Sequence, residues 1–133
     1  MADIQDWNSQ MRRGLLELCV LALLEVRPGY GYEIVTSLAE ADPLAASEGT
    51  VYPLLRRLRR LGWLETFWRE SDSGPPRQYY QLTEKGLDRL RQLEAEWGEL
   101  RRSVDERLAN DRQAPAVTAG GRVPVQKPRR TSR

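Results

Sequence analysis

An arginine-studded amphipathic helix, two short aromatic strands around a polar tip and the start of a further helix, all between Ser47 and Gly86, predict a mainly α fold with a small β-wing, the winged helix-turn-helix class. Two apolar helical segments precede that stretch, and a long helix with an apolar seam follows it. A helix with one apolar and one guanidinium face, followed at once by a hairpin, offers two elements that fit duplex DNA together.

The first helix is predicted from Arg12 to Val26. Leu15, Leu16, Leu18, Cys19, Val20, Leu21, Leu23 and Leu24 cover most of its surface, so it is buried on several sides. Arg27, Pro28 and Gly29 stop it. A second helix starts at Tyr30-Gly31-Tyr32, faces Ile34, Val35 and Leu38 inward, and ends before Pro43. In the third, Val51, Leu54, Leu55, Leu58 and Leu61 form one core stripe opposite Arg56, Arg57, Arg59 and Arg60. Pro53 belongs near a first turn, which places the helix start close to Gly49 and Thr50 with Ser47 upstream as a cap. Gly62 supplies the stop. Trp63 to Arg69 and Gln78 to Leu82 read as strands, and Glu70 to Arg77 as their polar tip. Thr83 caps a last helix that runs to about Asn110, with Leu90, Leu93, Trp97, Leu100 and Val104 at heptad spacing. Leu108 breaks the strict register.

The 133 residues therefore divide into a winged helix-turn-helix body over 1–82, a C-terminal dimerisation helix over 83–110 and a basic, flexible tail over 111–133. Net charge is +2, but Arg122, Lys127, Arg129, Arg130 and Arg133 lie beyond Ala114 with no acid among them, so the remainder is acidic. A nucleic-acid surface in the body must then come from local clustering. The absence of histidine excludes a histidine general base and a His-rich metal site. No phosphate-cradling glycine loop and no inward pair of carboxylates is present, so neither a catalytic residue nor a metal ligand is assigned and no cofactor is expected. The single cysteine, Cys19, permits no internal disulfide and reads as a small buried apolar residue rather than a redox sensor. Glu17 interrupts the run after Arg12 and Arg13, and no small-residue cleavage site follows, which argues against a secretory signal. That run is also too short and broken for a membrane span. A reducing cytoplasm is the expected setting.

The four arginines of the third helix share one sign, and no acid lies between Thr50 and Leu64 to form the i,i+4 pairs of a merely solvated helix. Contact with double-stranded DNA is the reading that this favours. Thr50 and Tyr52 stand near the N-terminal end, within reach of a phosphate or a thymine methyl. Arg69 and Arg77 flank the hairpin tip, and phosphate contact there competes with the plainer reading of an exposed turn.

Gly31-Tyr32-Glu33-Ile34, Gly49-Thr50-Val51-Tyr52-Pro53-Leu54-Leu55-Arg56-Arg57-Leu58, Leu61-Gly62-Trp63-Leu64, Gly74 to Tyr80 and Leu82-Thr83-Glu84-Lys85-Gly86 together resemble the PadR family of bacterial transcriptional regulators. The resemblance spans about Arg12 to Leu108, and the one short C-terminal helix is similar to the short subfamily. It implies a homodimer on palindromic operator DNA, joined through the last helix and acting as a repressor that a small molecule releases. The seam leads to a dimer independently, because it would otherwise expose a leucine and tryptophan stripe; packing back on the chain's own first helix is the alternative. Some short members of the family use a tryptophan at the position of Trp97 to stack on planar, often cationic, molecules in a pore between subunits. By that resemblance Trp97 is an effector-binding candidate, and Arg101, one turn further on, would favour an anionic aromatic; a plain interface tryptophan is the competing reading. A winged-helix module that binds a protein rather than DNA is the functional alternative.

Overall fold

The computed structural model describes residues 4–40 and 45–113. The basic tail beyond Gln113 and the helix stop at Pro43 lie outside the described residues. Seven elements follow in order: α1 (Ile4–Val26), β1 (Gly29–Tyr30), α2 (Gly31–Ala39), α3 (Glu48–Arg60), β2 (Leu64–Ser71), β3 (Gly74–Leu82) and α4 (Glu84–Gln113). The architecture is the mainly helical one with a small antiparallel sheet that the sequence predicts.

One apolar core joins the elements up to the first turns of α4. Leu16, Val20, Leu21 and Leu24 of α1, Ile34, Val35 and Leu38 of α2, Val51, Leu55 and Leu58 of α3, Leu64, Tyr80 and Leu90 pack together. The α3 members recur every three or four residues, so the helix buries one face and leaves the rest to solvent. Fully burying each such side chain contributes about 1.5–3 kcal/mol.

Several boundaries differ from the sequence reading. Helix α1 starts at Ile4, two turns before Arg12, and carries a short stripe of its own at Ile4, Trp7 and Met11 that is exposed. Helix α3 begins at Glu48, which places Pro53 in the second turn rather than the first. The first turn is closed instead by the Ser47 carbonyl, which accepts from the N–H groups of Thr50 and Val51 at 3.0 Å, while the Ser47 side chain makes no cap bond. Pro53 then removes a single backbone bond, the one to the carbonyl of Gly49, an exposed residue.

The end of α3 follows from Gly62, whose φ of 82° is accessible to glycine at little cost. Gly62 N–H donates to Arg59 O and Trp63 N–H to Leu58 O, both at 3.0 Å, a Schellman closure that turns the chain into β2.

The sheet has three strands in the order β1-β3-β2. Two residues after a proline are too few to show alternation, so β1 is not visible as periodicity; it pairs Gly29 with Tyr80 and Tyr30 with Tyr79. The hairpin strands run further than the sequence suggests, and the tip narrows to Asp72 and Ser73. Pro75 and Pro76 lie inside β3 because β1 reaches only Tyr79 and Tyr80, and the pairing with β2 is irregular between Arg69 and Ser71. Their missing N–H groups therefore cost the sheet little.

At the junction of wing and α4, the Thr83 hydroxyl donates to Gly62 O at 2.6 Å and accepts from Gly86 N–H at 2.9 Å, the N-cap role expected of it. The Cα of Gly86 lies so near Trp63 that an added Cβ would overlap the carbonyl oxygen and stand 2.9 Å from the carbonyl carbon.

The chain divides into two compact units, Met1–Gly98 and Glu99–Arg133. The division falls inside α4 rather than at Leu82, because the first turns of α4 supply Leu90 to the core.

Gly86→Ala is expected to lower stability by about 1–3 kcal/mol, since the contact is with backbone that cannot rotate away. Gly98→Ala, where a Cβ meets nothing within 4 Å, is expected to be neutral or to stabilise by up to about 1 kcal/mol through helix propensity. Thermal melts of the two variants check both signs.

Candidate nucleic-acid interface

Helix geometry spreads the arginines around α3. At 3.6 residues per turn, Arg60 lies at the pole opposite the Val51, Leu55, Leu58 row, Arg56 and Arg57 stand about 50° to either side of it, Thr50 lies beyond Arg57, and Tyr52 and Arg59 lie beyond Arg56. All four arginines and Thr50 are exposed. Arg57, Arg59 and Arg60 also stand in the last turn, where positive charge is favoured by the helix dipole.

Two of the α3 residues assigned to DNA by sequence are engaged with other elements of the chain. Arg57 donates from Nη2 to Glu17 Oε1 of α1 at 3.3 Å. No acid lies between Thr50 and Leu64, and Glu48 in the first turn of α3 pairs with none of the α3 arginines, but the partner of Arg57 comes from another helix and cannot be found by i,i+4 counting. Tyr52 is half-buried beside Gly31, where an added Cβ would stand 2.8 Å from its hydroxyl oxygen. Burial first, then the charges of Glu48 and Tyr80, push the Tyr52 phenol above its ordinary value. Tyr52 thus packs between α3 and the start of α2.

On the wing, Arg69 and Arg77 are direct cross-strand partners and share a face. Two like charges so placed repel, and each lies instead over an aromatic ring. The guanidinium carbon of Arg69 is 4.7 Å from the Tyr79 centroid and 5.4 Å from that of Phe67, and Arg77 is 4.4 Å from Tyr30. Phe67 stacks on Tyr79 at 5.4 Å, and Tyr30 meets Tyr79 edge-on at 5.5 Å. Such contacts are worth about 0.5–1 kcal/mol each at exposed sites and hold the arginines along the wing rather than free in solvent. Trp68 stands exposed on the wing's other face, opposite Gln78.

The most enclosed charge of the described residues escaped the sequence reading. Glu17 is 7% exposed and accepts from both Arg57 and Arg89, the latter at 2.9 Å from Nε to Oε2. Arg89 in turn lies 4.3 Å from the Trp63 ring centroid. A glutamate inside an otherwise apolar helical run was the available signal. Cys19 lies partly buried nearby in sequence, and burial pushes its thiol up, which keeps it protonated at neutral pH.

The residues assigned to a dimer seam separate in the structure. Leu90 is 0% exposed in the chain's own core and is not available to a partner, and Leu93 packs against that core. Trp97 is 37% exposed in the first unit; Leu100, Val104 and Leu108 of the second are 53–55% exposed. Arg101, also in the second unit, is exposed. A shallow groove of about 390 Å³, lined by Leu24, Val26, Pro28, Leu82 and Leu87 among others, does not include Trp97. Among the described residues no cluster of ligating side chains could hold a metal ion, and no helix is long and apolar enough to cross a membrane.

The profile of the family described as "Transcriptional regulator PadR-like family" matches residues 20–92, from the last turns of α1 to the first turns of α4. The chain belongs to the PadR-like family. Its members are transcriptional regulators, not enzymes, and the winged helix is their DNA-binding element. A PadR-like transcription factor from Bacteroides fragilis is 48% identical, with a TM-score of 0.63 over 76% of this chain and 97% of that one. A PadR family regulator from Eggerthella lenta is 39% identical, with a TM-score of 0.70 over 79% and 91%. One from Bacillus cereus is 36% identical, with a TM-score of 0.69 over 80% and 99%. This PadR-like chain therefore carries a DNA-binding transcription regulator's fold over nearly the full length of those proteins.

Proposed function

We propose that this PadR-like regulator works in the cytoplasm as a homodimeric repressor that binds a palindromic operator and is released by a small planar effector. The observation that supports the DNA contacts is the single-sign arginine face of α3 beside two ring-stacked arginines on the wing. In this reading α3 enters the major groove with Arg56 and Arg60 foremost and Thr50 and Arg59 at the edges, while Arg69 and Arg77 take phosphates alongside. The body around these contacts is acidic, so one copy makes few favourable contacts. Two copies place recognition helices in successive major grooves, about 34 Å apart, and the contacts of both then act together.

Arg56→Ala and Arg60→Ala are each expected to reduce the slope of log affinity against log salt by about one and to leave circular dichroism unchanged. Wild-type slopes in both variants would remove α3 from the DNA surface.

Exposed apolar residues on α4 support the dimer. Leu100, Val104 and Leu108 recur every four residues on a helix, and a second copy of the chain covers such a stripe without a new kind of partner. Leu100→Asp is expected to shift the protein from dimer to monomer in sedimentation velocity and to weaken operator binding more than Arg56→Ala does. A stable dimer in that variant would place the interface elsewhere.

Trp97 supports the effector reading by its partial exposure and its position in α4. An anionic naphthalene sulfonate, favoured over a cationic acridine by Arg101, is expected to quench tryptophan emission in the wild type and much less in Trp97→Ala. Trp7, Trp63 and Trp68 serve as the internal reference. Equal quenching in the two proteins would leave Trp97 an interface residue.

A further inference from the structure

The arginine face of α3 is not uniform electrostatically. Glu17 lies on α1, nearly enclosed, and each of its carboxylate oxygens accepts from a different guanidinium: Oε1 from Arg57 of α3 at 3.3 Å, Oε2 from Arg89 of α4 at 2.9 Å. Arg89 is held in turn against the ring of Trp63, in the turn that ends α3. Arg57 occupies the α1 side of α3, Arg56 lies on the opposite side of the exposed face, and Arg60 stands at the pole away from the core. No other α3 arginine has an acidic partner among the described residues.

For Arg57 to reach a phosphate it must leave Glu17. That would strand an enclosed carboxylate with one partner instead of two, and the phosphate would have to outcompete a pair already formed and partly desolvated. We infer that Glu17 is a positioning residue that withholds Arg57 from DNA, so that the four-arginine face engages the backbone with three, and that through Arg89 it ties the recognition helix to α4. This rests on the assignment of α3 to DNA above. Because Arg57 and Arg89 share one carboxylate, a displacement of α4 that draws Arg89 away changes how tightly Arg57 is held.

The test is a salt series on the full-length protein with a labelled mixed-sequence DNA duplex, where the slope counts the phosphates neutralised. Arg56→Ala flattens the slope by about one and serves as the control. Arg57→Ala is expected to keep the wild-type slope. Glu17→Gln, which frees Arg57, is expected to steepen it by about one, and the steepening is expected to vanish in Glu17→Gln/Arg57→Ala. A merely structural glutamate would not give a steepening that depends on Arg57. Flattening by Arg57→Ala equal to that of Arg56→Ala would overturn the proposal while leaving the DNA assignment intact. A folded Glu17→Gln with the wild-type slope would overturn it equally. If Glu17→Gln does not fold, as circular dichroism would reveal, Arg57→Ala decides alone. Wild-type slopes in Arg56→Ala, Arg57→Ala and Arg60→Ala alike would remove the DNA assignment and the proposal with it.

Discussion

A carboxylate taken out of water has to be met by donors, and in this chain that requirement joins three helices. Glu17 arises within the apolar stretch of α1, so the fold that buries Leu16, Val20 and Leu21 must bury it too. Its charge is satisfied only where α3 brings Arg57 and α4 brings Arg89 to opposite oxygens. Leaving such a group unpaired costs about 1–3 kcal/mol or more, a sizeable part of the stability of a small domain. The apolar core draws the helices together without choosing among closely similar packings. The two ion pairs are directional and select one arrangement.

The same arrangement sets the geometry of the reader. Helix α3 ends in a Schellman closure at Gly62, and the turn after it serves both neighbours. The Trp63 ring carries Arg89, the Trp63 carbonyl accepts from Thr83 N–H at 3.2 Å, and Gly86 lets α4 approach that carbonyl. The wing and α4 are therefore anchored to the end of the recognition helix at one point. Lys85 adds a further tie, donating from Nζ to Leu61 O at 3.0 Å. At the far end of the wing, arginines rest on rings rather than on acids. Those rings carry no charge, whereas Arg57 is paired with the Glu17 carboxylate.

Most of the fold was legible in the sequence because its signals are local. The α3 stripe, the glycine stop, the Thr83 cap and the aromatic strands each follow from spacing or from one residue's backbone preference. The misreadings share a cause. Strand β1 is two residues long and exists only because β3 lies beside it. Leu90 has the same spacing as the residues after it, yet periodicity does not say whether a stripe meets its own chain or another copy. Pro53 reads as a first-turn residue until the carbonyl of Ser47 is seen to close the turn before it.

The candidate site divides in the same way. Residue identity and one-dimensional spacing by themselves determined that α3 carries a single-sign face opposite an apolar one and that a hairpin with two arginines follows it. Charge and hydropathy along one helix are properties of the chain, and no folding is needed to read them. Which of those arginines remain free was decided only by the tertiary structure. The carboxylate that engages Arg57 lies forty residues earlier on another helix, the Tyr52 ring of α3 meets Gly31 of α2, and the rings beneath Arg69 and Arg77 meet across strands. Electrostatic pairing depends on distance in space, which falls within a few ångströms only after the chain has closed on itself.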